Sequence, residues 1–169
     1  FKKLDEVLET FSKWGVAGIK VDDWGREDQE WVNFWWKVAE KAANYKMVVD
    51  FHGTYKPTGL RKVYPNVLTR EAVAGLERSK IQINLEHEVT LPFTRMLAGP
   101  MDFTPGAVAK EWFVGDKSRV VGTAAHQLAM YVVYESPLQM LVDYPDAYEN
   151  NKEALSFLEV VPTVWDETR

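Results

Sequence analysis

Apolar residues in the first fourteen positions recur at the spacing of an α-helix, at positions 1, 4, 7, 8, 11 and 14. Gly15 ends this predicted helix, and the apolar run Val16–Val21 predicts a short buried strand. Helical spacing returns over Glu27–Tyr45, and Met47–Phe51 predicts a second strand. The chain therefore begins as helix, strand, helix, strand.

The remainder of the chain continues this alternation less regularly. The stretch NVLTREA predicts a third strand that ends near Arg70 and Glu71. Beyond it, the pattern predicts a helix over 123–134, a strand over 138–142 and a last helix over 151–160. Helices that alternate with short apolar strands are typical of βαβ units and a parallel sheet.

The alternation predicts an α/β fold, which we interpret as part of a (β/α)8 TIM-type barrel. Each predicted strand is followed by a polar loop, and no glycine-rich nucleotide motif favours a doubly wound sheet. A complete barrel needs at least about 200 residues. We therefore expect residues 1–169 to form a single domain that contributes the C-terminal strands and helices of a barrel.

Composition places the chain among globular proteins and narrows its partners and chemistry. It is 46% apolar and 13% aromatic, which is far from the composition of disordered chains. The net charge is -5 without a Lys/Arg cluster, which argues against a nucleic-acid partner. No apolar run reaches the roughly 18 residues that span a membrane, and without cysteine there is neither a disulfide nor thiolate chemistry.

Acidic residues, with one histidine and one arginine, collect at or soon after the ends of the predicted strands. They are Asp22, Asp23, Asp50, His52, Arg70, Glu71, Glu77, Asp102 and Asp143. In a barrel, these strand ends form the active-site face. Two facing carboxyl groups are the usual apparatus of glycoside hydrolysis, whereas several acids together also suit a hard cation such as calcium. The remaining alternative is that these acids only cap the following helices.

Six stretches of the chain carry longer motifs: GIKVDDW, VDFHGTYKPTGL, YPNVLTREAVAGLE, LPFTRMLAGPMDFTPGA, AHQLAMYVVYESPLQML and VPTVWDET. Together, and in this order, they resemble the catalytic barrel of glycoside hydrolase family 97, bacterial α-glucosidases and α-galactosidases. The resemblance implies an N-terminal β-sandwich and first barrel strands upstream of this chain, and calcium in the active site. It also implies a secreted or periplasmic bacterial protein.

The resemblance also implies roles for individual residues. It makes Glu77 the proton donor and Glu71 a calcium ligand, with Glu77 contacting the metal as well. Inverting members carry a glutamate base directly after the histidine of the second strand, where this chain has Gly53. Retaining members carry an aspartate nucleophile where this chain has Asp22. The implied reaction is a retaining double displacement with Asp22 as nucleophile and Glu77 as acid/base.

Further polar residues surround this pair in the sequence. The resemblance implies that His52 binds a sugar hydroxyl; a buried histidine bonded to the backbone is the alternative. Lys20 lies two positions before Asp22 on the same strand face, where it would bind a hydroxyl or keep Asp22 ionised, with a salt bridge as the alternative. Asp23 replaces an apolar residue of the family and would cap the next helix, repel Asp22 or compete as nucleophile. His126, on an apolar helix, is interpreted as core.

The sequence thus predicts a calcium-dependent retaining glycoside hydrolase that acts on α-galactosides. An α-glucosidase of the same family is one alternative. The other is an inactive barrel fragment or carbohydrate-binding remnant, whose open sheet edges would be covered by self-association into a homo-oligomer. The expected partner is an α-linked oligosaccharide or glycoside substrate.

Overall fold

The computed structural model describes residues 3–22, 26–78, 83–109 and 122–167. The chain divides into two compact units, Phe1–Ala72 and Val73–Arg169. Each unit has its own cluster of buried apolar side chains. The predicted α/β class is confirmed, while a single domain over the whole chain stays a prediction.

The first unit is built on a parallel sheet of three strands in the order β1–β2–β3. These are β1 (Gly18–Val21), β2 (Val48–Phe51) and β3 (Val67–Arg70), each within a predicted strand. Val21 lies opposite Phe51, and Phe51 lies opposite Arg70. The three strands therefore end at the same level.

The two long helices predicted for the first unit are confirmed, and a short third helix follows them. They are α1 (Leu4–Lys13), α2 (Gln29–Asn44) and α3 (Leu60–Val63). The side chain of Asp28 caps α2 by accepting two backbone N–H groups of the first turn, as aspartate does at many helix starts.

An aromatic contact packs α2 against the sheet. The buried stripe of α2 consists of Trp35, Val38, Ala39 and Ala42, which recur at the helical spacing of three and four. The fully buried indole of Trp35 meets the ring of Phe51 edge to face, with 4.8 Å between ring centroids. Such pairs stabilise by about 0.5–1.5 kcal/mol beyond the area they bury. We call the side of the sheet that carries Phe51 the helix face.

β1 and β2 begin later than predicted because the preceding helices use the first backbone N–H groups of each predicted strand. At the end of α1, Gly15 has a φ of +79°, and the N–H of Val16 donates back to a helix carbonyl at 3.0 Å. At the end of α2, Lys46 has a φ of +57°, and the N–H of Met47 donates back at 2.9 Å. Both closures are Schellman motifs. Each joins a helix to the following strand through no more than four residues.

The regular secondary structure in the described part of the second unit consists of helices and short 3₁₀ segments. The helices are α4 (Leu85–Thr90), α5 (Ala124–Val133), α6 (Pro145–Glu149) and α7 (Lys152–Leu158). The 3₁₀ segments are Leu76–Arg78, Leu91–Phe93 and Arg95–Ala98. α5 and α7 match the predicted helices. Across the described ranges of the whole chain, no helix has the length and apolar character to cross a membrane.

The strand predicted at 138–142 is wrong, because these described residues form no strand. The hydroxyl of Tyr131 donates to the carbonyl of Met140 at 2.9 Å, and the N–H of Val142 donates to the carbonyl of Pro105 at 3.3 Å. A ladder needs a regular row of backbone partners. Here a side chain from α5 takes one of the carbonyls that such a row would use.

Replacing Trp35 with alanine is expected to lower the free energy of unfolding by about 3–5 kcal/mol, because loss of the buried indole leaves a cavity against Phe51. Trp14, which is 72% exposed, provides the matched control. Its replacement with alanine is expected to change that free energy by about 0.5 kcal/mol or less. Urea unfolding followed by far-ultraviolet circular dichroism measures both variants, and equal losses would contradict this packing.

Candidate active site

The carboxyl-terminal edge of the three-stranded sheet carries three polar residues side by side. Asp22 directly follows β1, His52 follows β2 and Glu71 follows β3. The backbone N–H of His52 donates to the carbonyl of Val21 at 2.8 Å, and that of Glu71 donates to the carbonyl of Phe51 at 2.8 Å. These bonds continue the parallel ladder beyond the strands, so the backbone itself holds the three residues at one level.

The strand register also groups polar residues on one face of the sheet. Lys20 lies opposite Asp50, and Asp50 lies opposite Thr69. Their neighbours Phe51 and Arg70 belong to the helix face, because side chains alternate along a strand. Lys20, Asp50 and Thr69 therefore share the opposite face, which we call the polar face.

His52 is buried next to two carboxylates. Its Nε2 is 3.4 Å from Oδ2 of Asp50, and its Nδ1 is 3.7 Å from Oε2 of Glu71. Asp50 is itself completely buried. Burying a carboxylate is costly unless a partner compensates the lost hydration, and the imidazole is placed to do so. One carboxylate oxygen thus lies near each nitrogen of the ring.

Glu71 connects the end of β3 to the loop after β2. Its partly buried side chain accepts the backbone N–H of Gly53 through Oε2 at 2.9 Å. Gly53 has a φ of +55°, in the left-handed region that favours glycine. The position directly after His52 therefore offers no side chain, but its backbone holds Glu71.

Glu71 has the donor chemistry that calcium requires. Calcium takes roughly six to eight oxygen ligands, and carboxylates are prominent among them. An ionised carboxylate presents about four lone-pair positions, so it can accept a backbone N–H and also bind a cation. Glu71 thus fits the metal role, which stays a prediction.

The predicted nucleophile Asp22 and the predicted substrate-binding Lys20 are both exposed. Lys20 belongs to the polar face and lies two residues before Asp22. Asp23 lies outside the described residues. A nucleophile must be able to reach its substrate, and the exposure of Asp22 meets that need. The roles of Asp22, Lys20 and His52 in catalysis and substrate binding stay predictions.

Glu77, the predicted acid/base and second metal ligand, belongs to the second unit and lies on the 3₁₀ segment Leu76–Arg78. Its side chain is 57% exposed, and its Oε1 is 3.8 Å from Nε of Arg78. The adjacent Leu76 is buried, and its N–H donates to the carbonyl of Phe103 at 3.2 Å. An anchored segment thus presents an exposed carboxylate, whose catalytic and metal roles stay predictions.

Two other acids of the predicted set hold loop backbone in the second unit. Oδ2 of Asp143 accepts the N–H groups of Val108 at 2.7 Å and of Ala109 at 2.9 Å. Buried Asp102 accepts the N–H of Thr104 through Oδ1 at 3.2 Å. These contacts give both residues a structural role in their loops.

A buried ionisable pair in the second unit was not predicted. The buried Glu88 of α4 has its Oε2 2.6 Å from Nε2 of His126 on α5. The interpretation of His126 as core is wrong, since its side chain is 26% exposed and contacts this carboxylate. The partners are 38 positions apart, so no local pattern could indicate the pair. Burial raises the pKa of Glu88, and the contact with His126 only partly offsets the effect.

Known proteins match this chain along nearly its whole length. Residues 1–73 match the family described as glycoside hydrolase 97. The chain is 42% identical over 176 residues to a protein named retaining alpha-galactosidase from Bacteroides thetaiotaomicron. That match covers 99% of this chain and 27% of the relative.

Solved structures give matches of similar extent. A glycoside hydrolase family 97 enzyme from Pseudoalteromonas sp. strain K8, in complex with panose, has a TM-score of 0.85 at 35% identity. A beta-arabinopyranosidase has a TM-score of 0.82 at 27% identity. Each match covers 98% of this chain and 28% of the other. This chain therefore spans just over a quarter of the length of these relatives.

Replacing Glu88 with glutamine is expected to favour folding increasingly as the pH rises above the ordinary glutamate pKa of 4.5. The folded state raises the pKa of Glu88, so between the unfolded and the folded pKa the folded protein binds more protons than the unfolded chain, and the native glutamate loses stability as the pH rises. Thermal melts of both proteins at several pH values measure the difference.

Glu86→Gln, at an exposed position of the same helix, is the matched control and should give a nearly constant difference. A Glu88→Gln advantage that shrinks with rising pH would mean that the charge of His126 outweighs burial, contrary to this prediction.

Proposed function

The chain belongs to glycoside hydrolase family 97, and from this we propose that it forms part of the catalytic domain of a retaining glycosidase. The observation that carries the proposal is the sheet edge where Asp22, His52 and Glu71 follow three parallel strands at one level. Barrel enzymes build their active sites at this end of the strands. α-Galactosides are the proposed substrates, because the 42% identical relative is named a retaining alpha-galactosidase.

The proposed reaction proceeds in two displacements. A carboxylate oxygen of Asp22 attacks the anomeric carbon while the bond to the leaving oxygen breaks, and Glu77 protonates that oxygen. Glu77 then removes a proton from water, whose oxygen bonds to the anomeric carbon as Asp22 departs as a carboxylate. Retention requires the two carboxyl groups to be about 5–5.5 Å apart.

Other residues of the chain would bind and orient the sugar. His52, whose ring lies beside Asp50 and Glu71, would bind a sugar hydroxyl. Lys20 would bind a second hydroxyl or keep Asp22 ionised. Glu71 and Glu77 would hold calcium, and the bound ion would supply positive charge that orients hydroxyls and stabilises developing negative charge.

Gly53 favours retention over inversion in this proposal. An inverting enzyme needs a base that activates water, and inverting members of the family carry it directly after the histidine. Gly53 has no side chain, and its N–H contacts Glu71 instead. Asp22 is then the carboxylate that the first displacement uses.

An α-glucoside is the second candidate substrate. The 35% identical Pseudoalteromonas enzyme forms a complex with panose, an oligosaccharide of α-linked glucose. The ratio of kcat/KM on aryl α-galactoside and aryl α-glucoside distinguishes the two, and hydrolysis of neither would favour a carbohydrate-binding remnant. We also propose that the protein is secreted to the bacterial periplasm or exterior and that self-association covers its open sheet edges.

Replacing Asp22 with alanine, in the protein that carries this chain, is expected to lower kcat on an aryl α-galactoside by at least about a thousandfold. The reason is that the substitution removes the attacking oxygen. Added azide should restore turnover and yield the β-galactosyl azide, because an external nucleophile then enters from the vacated side. Release of the aryl group and analysis of the azide product measure the two effects.

Asp23→Ala is the matched control for this experiment and is expected to keep substantial activity without azide. If azide rescued Asp23→Ala instead of Asp22→Ala, the nucleophile would be Asp23, and the assignment of Asp22 would be wrong. Proton NMR of the unsubstituted protein should show α-galactose as the first-formed product, whereas β-galactose would rule out retention.

Calcium at saturating concentration is expected to raise the melting temperature of the protein that carries this chain. A ligand present at a hundred times its Kd stabilises the folded state by about 2.7 kcal/mol. Glu71→Gln keeps an acceptor for the N–H of Gly53 but removes the charge, so most of the stabilisation should be lost. Calorimetric melts in calcium and in a chelator measure the shift.

Glu149→Gln, at an exposed position of α6, is the control and should keep the full calcium response. An equal response in Glu71→Gln would remove Glu71 from the proposed ligands. Identical melts of the unsubstituted protein in calcium and chelator would refute the calcium proposal as a whole.

A further inference from the structure

Arg70, at the end of β3, is a buried cation on the helix face. It is only 3% exposed, and its guanidinium carbon lies 4.5 Å from the ring centroid of Tyr55 and 5.3 Å from that of Phe51. Its Nη1 donates to the backbone carbonyl of Tyr55 at 2.9 Å. Burial lowers the pKa of Arg70, and the contact with Tyr55 partly offsets this. A charge in such surroundings needs both hydrogen bonds and aromatic faces to be tolerated.

Arg70 and Glu71 are consecutive residues that hold the same loop from two sides. Residues 53–55, which we call the β2 loop, directly follow His52. Glu71 accepts the N–H at the first position of this loop, Gly53, at 2.9 Å. Arg70 donates to the carbonyl at its last position, Tyr55, at 2.9 Å. The loop is thereby bound at both ends by oppositely charged side chains, and such charge-assisted bonds are stronger than neutral ones.

The side chains of the β2 loop do not hold it in place by hydrogen bonds of their own. Oγ1 of Thr54 and the hydroxyl of Tyr55 are buried, and within the described ranges neither has a hydrogen-bond partner. A buried hydroxyl without a partner weakens a conformation rather than stabilising it. Among the described residues, Arg70 and Glu71 therefore supply side-chain hydrogen bonds that hold the backbone of this loop.

We propose that Arg70 is a positioning residue of the candidate active site: by holding Tyr55, it sets the β2 loop, and the loop sets the imidazole of His52 and the carboxylate of Glu71. Arg70 lies on the helix face and acts through these groups rather than on the sugar. The inference rests on the proposed function in one respect, namely that His52 and Glu71 act on substrate or calcium.

The experiment compares substitutions of Arg70 in the protein that carries this chain. Arg70→Met keeps the length of the side chain and removes its charge and donors, while Arg70→Lys keeps the charge but loses the planar fork. Arg61→Met, at an exposed position of α3, is the matched control. Amide hydrogen exchange of residues 53–56 is expected to be at least about tenfold faster in Arg70→Met, intermediate in Arg70→Lys and unchanged in Arg61→Met.

Exchange in α2 reports whether the first unit stays folded, and unchanged α2 exchange is expected in all three variants. If α2 exchanges faster in Arg70→Met, that variant is no longer folded. Exchange of the β2 loop in Arg70→Lys, compared with Arg61→Met, then tests the proposal. Unchanged exchange of the β2 loop in a folded Arg70 variant would overturn the proposal.

Activity supplies the second measurement. Residues that orient a ligand or catalytic group typically contribute about 10–100-fold, so kcat/KM of Arg70→Met should fall within that range while Arg61→Met stays unchanged. Faster loop exchange with undiminished kcat/KM would overturn the positioning role. An unsubstituted protein that hydrolyses no glycoside would refute the proposed function, and the exchange comparison would still decide whether Arg70 holds the loop.

Discussion

Parallel pairing of β1, β2 and β3 is the constraint on which the candidate active site depends. The three strands end in register, and two further backbone hydrogen bonds continue the ladder to His52 and Glu71. The polar residues thus take their relative positions from the backbone before any side chain contributes. The contact of Trp35 with Phe51 stabilises the opposite face, which leaves the polar face available for chemistry.

Three charged side chains in the described part of the chain bind backbone groups of loops. Glu71 binds an N–H of the β2 loop, Arg70 binds a carbonyl of the same loop, and Asp143 binds two successive N–H groups in the second unit. A carboxylate or guanidinium bound to backbone costs less to bury than an unpaired one. Among the predicted acids, Glu71 and Asp143 therefore shape loops, whereas Asp22 is exposed.

Hydrophobic spacing was sufficient to predict α1, α2, α5 and the three strands, because burial of one stripe or one short apolar run determines each of them. It failed at 138–142, where Tyr131 takes a carbonyl that a strand would need. The sequence could also predict that polar residues at the ends of the strands lie close together, because the carboxyl ends of parallel strands share one edge of the sheet. The pairing of Glu88 with His126 depends on how two helices pack, and the hold of Arg70 on Tyr55 depends on loop geometry; neither leaves a local trace in the sequence.

The Schellman closure at the end of α2 limits how the length of this chain can change. Only Tyr45, Lys46 and Met47 separate the helix from β2. The N–H of Met47 donates to a carbonyl of the helix. If one residue were inserted here and β2 shifted its register by one position, every side chain of β2 would move to the other face of the sheet. Asp50 would then face α2, and Phe51 would enter the polar face. Natural variation in length among relatives should therefore avoid this junction and collect in loops such as the one between β2 and α3.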